Sequence, residues 1–181
     1  MKRKSVLSLT VVMAVVLLFS LFVVPVASTA TGGTDRPFKA TLAGAAHWEF
    51  PGDWLSNCAE VTTLTEAAGQ ATHMGRIEMF GWHCPAEPLN VNDGRLALIA
   101  ANGDELYGTY NYDPASESNE IPVTLNGGTG SFAGASGAAI LTYEVIPQFI
   151  EGCDPEPDPF ACFDFSVSWP WFATLTGTIS Y

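Results

Sequence analysis

Apolar and polar residues alternate with a period of two along most of the chain after residue 36, which is typical of strands with one buried face. The first such stretch, residues 37–50, places Phe38, Leu42 and Trp48 on one side. The clearest alternation covers residues 163–179, near the carboxyl end. Pro170 lies inside it and cannot donate to a strand ladder, so it marks an edge, a bulge or a strand boundary.

The same pattern predicts six further strands between these two. They cover residues 61–65, 71–83, 95–101, 105–112, 121–125 and 138–145. Asn102-Gly103 separates two of them and is the strongest hairpin signal in the chain. No amphipathic helix is evident after residue 30, and nearly every strand has an apolar face. The sequence therefore predicts an all-β fold, an antiparallel barrel of about eight strands or a sandwich.

A glycine-rich segment precedes the strand at residues 138–145. Its glycines are Gly127, Gly128, Gly130, Gly134 and Gly137. Glycine adopts backbone angles that other residues avoid and lets strands approach closely, so these five are predicted to form a tight turn and a sharp bend. The segment has no reactive group, so it indicates architecture rather than activity.

The order G-G-T-G-S-F-A-G-A-S-G over residues 127–137 resembles a signature of dirigent proteins and their bacterial relatives, which share the allene-oxide-cyclase-like, calycin-type barrel. Residues 71–76 and 100–104 are similar to segments of secreted bacterial members. The resemblance covers residues 38–181 and implies an eight-stranded antiparallel barrel with a central cavity, often in a homo-oligomer. Plant dirigent proteins steer radical coupling of phenols, whereas the cyclases close an epoxide-derived ring. No pocket residue of either group can be matched here, so the resemblance implies no particular activity.

The amino terminus has the parts of a secretory signal peptide: three basic residues at 2–4, an apolar run over 6–24 and small residues at 27–30. We expect a signal peptide over 1–30, a linker over 31–36 and one barrel domain over 37–181. The alternative is an uncleaved membrane anchor that leaves the domain facing outside, since a spanning helix needs about 18 or more apolar residues. Either way, the domain is predicted to be extracellular.

Charge narrows the choice of partners. Residues 31–181 contain four basic residues against all 19 acidic ones, a formal charge of −15. Such a domain repels nucleic acid and anionic lipid, so neither nucleic acid nor, after signal cleavage, a membrane is an expected partner.

Four cysteines, Cys58, Cys84, Cys153 and Cys162, follow the predicted signal peptide. An even count in an oxidising compartment favours two disulfides, and four cysteines allow three pairings. We favour Cys58–Cys84 and Cys153–Cys162, because the second pair closes a short, proline-rich loop. A zinc site is the alternative, but the sequence has no C-x-x-C pair.

Candidate ligand-binding residues come from two groups. Arg76, Glu78 and Trp82 share one face of the strand predicted over 71–83. Facing inward, the charged pair would be a polar anchor for a ligand; facing outward, it would be a solvated surface pair. The second group is aromatic and is either a pocket mouth or plain core: its members are Tyr107, Tyr110, Tyr112, Tyr143, Trp169 and Trp171.

Other motifs carry little chemistry. Residues 128–133 fit a dinucleotide fingerprint, but a strand rather than a helix follows them. His73 and His83 are ten residues apart, about 33 Å along one strand, too far for one metal, although His47 with either of them stays open. Prolines interrupt the acidic cluster at 151–158, which counts against calcium. No catalytic residue, cofactor or metal is predicted.

The leading hypothesis is a secreted, disulfide-stabilised barrel that binds a small apolar or aromatic ligand, or acts as a scaffold, without catalysis. An isomerase or cyclase of the allene-oxide-cyclase type is the first alternative. A structural or adhesive surface protein is the second. The interior distinguishes them, because a side-chain-filled barrel favours the structural role and an open cavity favours the other two.

Overall fold

A computed structural model of the chain describes residues 33–50, 61–84, 94–111, 116, 118–153 and 162–181. These residues belong to one compact unit, Gly32–Tyr181. The predicted signal peptide, Cys58 and most of the acidic cluster lie outside the described residues. Among the residues that are described, no helix has the length and apolar character needed to cross a membrane.

Eight strands form one closed antiparallel barrel in which each strand pairs with its sequence neighbours and the last closes on the first. They are β1 Arg36–Glu49, β2 Thr62–Ala71, β3 Gly75–His83, β4 Gly94–Ala100, β5 Glu105–Tyr110, β6 Glu120–Gly128, β7 Ser136–Val145 and β8 Trp169–Ser180. A short 3-10 turn, Gly130–Phe132, lies between β6 and β7. The predicted all-β, eight-stranded antiparallel barrel is confirmed, and the sandwich alternative is wrong.

The boundaries of several predicted strands are wrong, and β2, expected over 61–65, continues to Ala71. The strand expected over 71–83 contains a hairpin turn, with β2 ending at Ala71 and β3 beginning at Gly75. His73 and Gly75 have left-handed φ angles of 68° and 69°. Ala71 and Ile77 both face the core, six residues apart, so the core-facing positions keep the same parity on both sides of the turn, although Met74 within it is also buried. Likewise β8 begins at Trp169 rather than at residue 163, and Pro170 is its second residue.

The two ends of the barrel differ in their connections. Short connections, residues 72–74, 101–104 and 129–135, leave one end, which we call the turn end. The longer connections, residues 50–61, 84–93, 111–119 and 146–168, leave the opposite end, which we call the loop end. Large, fully buried side chains fill the turn half of the barrel: they include Phe38, Leu98, Leu106, Leu125, Phe132 and Ile179.

A hydrogen-bonded latch ties the glycine-rich turn to the β4–β5 hairpin. The Asp104 carboxylate accepts hydrogen bonds from the Ser131 backbone N–H at 3.1 Å and the Asn102 side-chain amide at 3.0 Å. Hydrogen bonds from Ser131 and then Asn102 lower the pKa of Asp104 from its ordinary value. A Cβ on Gly130, whose φ is 54°, would lie 1.8 Å from this carboxylate, so the latch requires glycine there.

The other glycines of this segment have two kinds of role. Gly127 and Gly134 have φ angles of 117° and 77°, in the left-handed half of backbone space. A Cβ on Gly128 or Gly137 would lie 2.1 or 2.2 Å from a backbone carbonyl oxygen of a neighbouring strand. The first pair therefore makes the turn, and the second allows close strand approach.

Disulfides lie near the loop end. Cys153 and Cys162 are bonded to each other, as predicted, with Cα atoms 5.5 Å apart. Cys84, which follows β3 and is buried, is also disulfide-bonded. Its predicted partner, Cys58, lies outside the described residues.

Candidate ligand cavity

A cavity of about 110 Å³ occupies the loop half of the barrel. Most of its lining is apolar or aromatic: Trp48, Met79, Leu96, Ile121, Leu141, Val145 and Trp171, with Ala46. The polar part of the lining consists of Thr63, Thr65, His83, Tyr110 and Tyr143. Among the described residues, no Asp, Glu, Lys or Arg lines it. The interior is therefore an uncharged space with a few hydroxyl and imidazole groups.

Small residues on the inward faces of β1 and β3 explain why this half is hollow. Ala46 and Gly81 occupy positions where the turn half of the barrel carries large side chains. A Cβ on Gly81 would be no nearer than 3.5 Å to any neighbour, so space remains in front of this glycine. Gly94 acts differently, because a Cβ there would lie 2.3 Å from the Tyr110 ring. Gly94 thus lets the Tyr110 ring lie flat against β4.

His83 and Tyr110 form the polar contact of the cavity wall. The Nδ1 atom of His83 lies 3.2 Å from the Tyr110 hydroxyl, which also donates to the Trp82 carbonyl oxygen at 3.3 Å. The histidine is half-buried and lines the cavity. This burial lowers the pKa of His83 to about 4, so its imidazole is uncharged at neutral pH.

Thr63 is the second polar feature of the wall. It pairs with Trp48 on β1 and with His83 on β3, and all three side chains line the cavity. The residue is 5% exposed. Its Oγ1 atom is buried and makes no hydrogen bond in the part of the chain that the structure describes. A buried hydroxyl without a partner costs about 1–3 kcal/mol, so an unpaired Thr63 is a cost to the folded state.

Aromatic rings support the cavity from the loop end. Trp48 packs against Trp169, with ring centroids 4.2 Å apart, and against Phe165 at 5.2 Å. Trp169 is buried and donates its indole N–H to the Asp164 carbonyl oxygen at 2.7 Å. Trp48 therefore forms the cavity wall, and Trp169 stands behind it.

The structure divides the residues predicted to line a pocket. Tyr110, Tyr143 and Trp171 line the cavity, whereas Trp169 supports it from behind. Tyr107 is exposed, and Tyr112 lies outside the described residues. The inward placement considered for Arg76, Glu78 and Trp82 is wrong, because the other face of β3 points into the barrel. Apolar residues occur on both faces of this strand: Ile77 and Met79 face inward, whereas Phe80 faces outward and is 40% exposed. Alternation alone therefore does not identify the inner face. Ligand binding by the lining residues stays a prediction.

Sequence reasoning missed Thr63 and did not assign His83 to the cavity. Thr63 was placed in a short strand, and its polar side chain gave no sign that it faces inward. The sequence suggests His83 only as a possible metal ligand. The sequence signal that could have placed His83 is its position: Ile77, Met79, Gly81 and His83 are two residues apart and therefore share one face of β3.

His73 and His83 do not share a site, and His47, between the cavity-lining residues Ala46 and Trp48 on β1, does not line the cavity. The Nε2 atom of His73 lies 2.9 Å from the Pro37 carbonyl oxygen at the turn end, whereas His83 lies in the loop half. Among the described residues, no three His, Cys, Asp or Glu side chains come together as a metal site. Asp154, Glu156 and Asp158, considered for calcium, lie outside those residues.

The chain matches no protein-family model and no curated protein sequence. One solved structure with a similar fold is that of a pterocarpan synthase dirigent protein. The two share 10% sequence identity over 81% of this chain and 86% of that chain, with a TM-score of 0.47.

Proposed function

We propose that this protein is an extracellular binding barrel that holds a small, uncharged apolar or aromatic molecule in its loop-half cavity, without covalent catalysis. The observation that carries the proposal is the cavity itself, apolar over most of its wall and lined among the described residues by no charged group. Ligand sites are typically concave and mostly apolar, with a few polar groups that fix orientation. A purely structural barrel has no need of a hollow half.

The size of the cavity limits the ligand. At about 110 Å³ it is somewhat smaller than an engineered protein cavity of about 150 Å³ that holds benzene. A single six-membered ring with a short substituent is therefore the expected size class. The aromatic wall residues Trp48, Tyr143 and Trp171 suit such a ring, because aromatic pairs add to the effect of burial alone.

Three sequence features support an extracellular location. The amino terminus has the form of a signal peptide, the domain is strongly acidic, and disulfides persist mainly in oxidising compartments. The Cys153–Cys162 bond fits that environment.

An isomerase or cyclase is the alternative function, and the His83–Tyr110 contact is the observation that favours it. A hydrogen-bonded imidazole and phenol beside a cavity are candidates for general acid–base work. However, burial lowers the pKa of His83 to about 4, which makes it a weak base at neutral pH. Binding without catalysis therefore fits this wall better.

The proposal is tested by measuring which small molecules bind to the cavity and whether a side chain placed in it blocks binding. Protein purified with its disulfides intact is titrated with toluene and, as a size control, with 1,3,5-triisopropylbenzene, and binding is measured by calorimetry. We expect toluene to bind and the bulky ring to be excluded. Gly81→Val, which adds methyl groups into the open space before Gly81, should abolish toluene binding.

Ala97→Val is the matched control for the filling variant. Ala97 lies on the neighbouring strand β4, with its side chain on the outer face of the barrel, half exposed. This variant should bind toluene as the wild type does. Unchanged binding by Gly81→Val, or no binding of any single-ring probe by the wild type, would overturn the proposal.

A further inference from the structure

The outer face of β3, β4 and β5 carries a group of aromatic residues that takes no part in the cavity. Phe80 is 40% exposed, Tyr107 is 36% exposed, and Trp82 on the same face of β3 as Phe80 is half-buried. Single apolar residues on a surface need no explanation, but a contiguous group of large ones marks an interaction site. We call the outward-facing residues of these strands the outer platform: Glu78, Phe80, Trp82, Arg95, Ala97, Ile99, Glu105, Tyr107 and Thr109.

Strand pairing arranges the outer platform in three rows. The middle row consists of Phe80, Ala97 and Tyr107, because Ala97 pairs with Phe80 on one side and with Tyr107 on the other. Neighbouring strands are about 4.8 Å apart, so the two rings extend from backbone positions about 10 Å apart. Alanine is small, and the middle row therefore has a low centre between two aromatic side chains.

Hydrogen-bonding groups flank this aromatic row on both sides. One flanking row is Glu78, Ile99 and Glu105, and the other is Trp82, Arg95 and Thr109. The Tyr107 hydroxyl donates a hydrogen bond to the Glu105 carboxylate, which holds the tyrosine ring in place. The outer platform thus combines ring surfaces with carboxylate, guanidinium and hydroxyl groups.

Sugar rings match this combination. The C–H groups of a pyranose pack on an aromatic ring, while its hydroxyl groups pair with carboxylate and guanidinium groups. Sheet faces of other small barrels bind oligosaccharides. In an extended β-linked glycan, alternate sugars present the same face at a repeat of about 10 Å, which is the spacing that strand geometry gives Phe80 and Tyr107. One glycan chain can therefore place a sugar on each ring.

Charge disfavours the other occupants of such a surface. Residues 31–181 have a formal charge of −15, which repels acidic glycans and anionic lipid. A second copy of the chain would have to cover Glu78 and Glu105, whereas the cores of protein interfaces are depleted of carboxylates. A sugar chain lying on the sheet leaves these groups in contact with water and offers them hydroxyl donors.

We propose that the outer platform is a second binding site, and that it holds a neutral, extended β-linked glycan on the rings of Phe80 and Tyr107. The proposal is independent of ligand binding in the cavity, because the cavity lies on the inner face of the same strands.

The experiment titrates protein purified with its disulfides intact with two neutral β-linked probes, cellohexaose and chitohexaose, and measures binding by calorimetry. Maltohexaose is the shape control, because its α-linked sugars curve and do not present alternate rings to a flat face. We expect at least one β-linked probe to bind, and to bind more tightly than maltohexaose.

Two variants test the rings directly. Phe80→Ala and Tyr107→Ala should each weaken binding of the β-linked probe about fivefold to tenfold, because each removes one stacking surface. Phe172→Ala is the matched control, since Phe172 is 44% exposed on the outer face of β8, across the barrel from β4. It should leave glycan binding unchanged. Toluene titrations of all three variants should match the wild type.

Three results would overturn the proposal. The first is that neither β-linked hexasaccharide binds at millimolar concentration. The second is that Phe80→Ala and Tyr107→Ala bind the glycan as the wild type does. The third is a wild-type dimer in sedimentation equilibrium that Phe80→Ala dissociates, because a second copy would then cover the outer platform.

Discussion

The turn end and the loop end of this barrel are built from the same eight strands but do different things. At the turn end, short hairpins and the Asp104 latch close a filled core. In this core Phe132 packs against Tyr181, with ring centroids 5.0 Å apart. At the loop end, the small residues Ala46 and Gly81 leave a cavity among larger, mostly apolar and aromatic side chains. A single closed sheet can thus hold a filled core at one end and a cavity at the other, because each end has its own set of inward side chains.

Side-chain size along single strands shows how the difference arises. On β1, Phe38, Ala40 and Leu42 face inward in the turn half. Toward the loop end the small Gly44 and Ala46 precede Trp48, which lines the cavity. On β6, Leu125 lies toward the turn end and is 1% exposed. The backbone pairing continues through both halves without interruption on β1. The sheet is therefore uniform, and only the packing inside it changes.

Matched truncations at the two ends should produce the largest effect. Leu125→Ala removes a side chain from the filled half and is expected to cost about 4 kcal/mol of unfolding free energy, because the surrounding core relaxes little. Leu141→Ala is expected to cost about 2 kcal/mol, because Leu141 already borders the cavity, so part of its side chain faces empty space rather than packed atoms. Urea unfolding followed by tryptophan fluorescence measures both. Equal costs would show that the two halves are packed alike.

The second-largest expected effect is a loss of stability in acid, caused by His83 in the loop half. The pKa of His83 is lowered to about 4 in the folded protein from 6.5 in the unfolded chain. Between these values the unfolded chain binds more protons, so the free energy of unfolding falls as the pH falls from about 6.5 to 4. The expected loss is about 3 kcal/mol, measured by urea unfolding at a series of pH values.

Two variants sharpen this pH prediction. His83→Gln removes the titrating group and should flatten the stability profile over the same window. His73→Asn, at the turn end, should keep the acid-induced loss, and asparagine tolerates the left-handed φ of that position. A wild-type profile that stays flat between pH 6.5 and 4 would contradict the burial of an uncharged imidazole.

Two glycines of the turn end should respond unequally to alanine. Gly134→Ala adds only the strain of a left-handed φ, about 1 kcal/mol, because no atom lies within 4 Å of its Cβ position. Gly130→Ala also displaces the Asp104 carboxylate and breaks the latch, so about 2 kcal/mol is expected. Thermal unfolding of both variants tests this, and toluene binding at the loop end should persist in each. If the two variants are equally stable, the latch contributes nothing.

The barrel was predictable from sequence because alternation and turn residues report local geometry. The eight strands, the Asn102-Gly103 hairpin and the Cys153–Cys162 disulfide follow from signals within a few residues of one another. The hairpin at His73 was missed because the turn preserves parity. Alternation also does not tell which face of a strand is inside when both carry apolar residues, as on β3. The cavity depends on residues from all eight strands, which no local pattern brings together.

The smallest expected effect concerns the residues that sequence first suggested for a ligand anchor. Arg76 and Glu78 are exposed on the outer face of β3, so Arg76→Ala and Glu78→Ala should each change the free energy of unfolding by no more than about 0.5 kcal/mol. Neither change should alter toluene binding, measured by calorimetry as for the wild type.

The alternate positions on the same strand, Ile77 and Met79, point inward. Because Met79 lines the cavity, Met79→Ala should enlarge it and admit larger rings. If Glu78→Ala impaired binding and Met79→Ala did not affect it, the assignment of the inner face of β3 would have to be reversed, and the cavity with it.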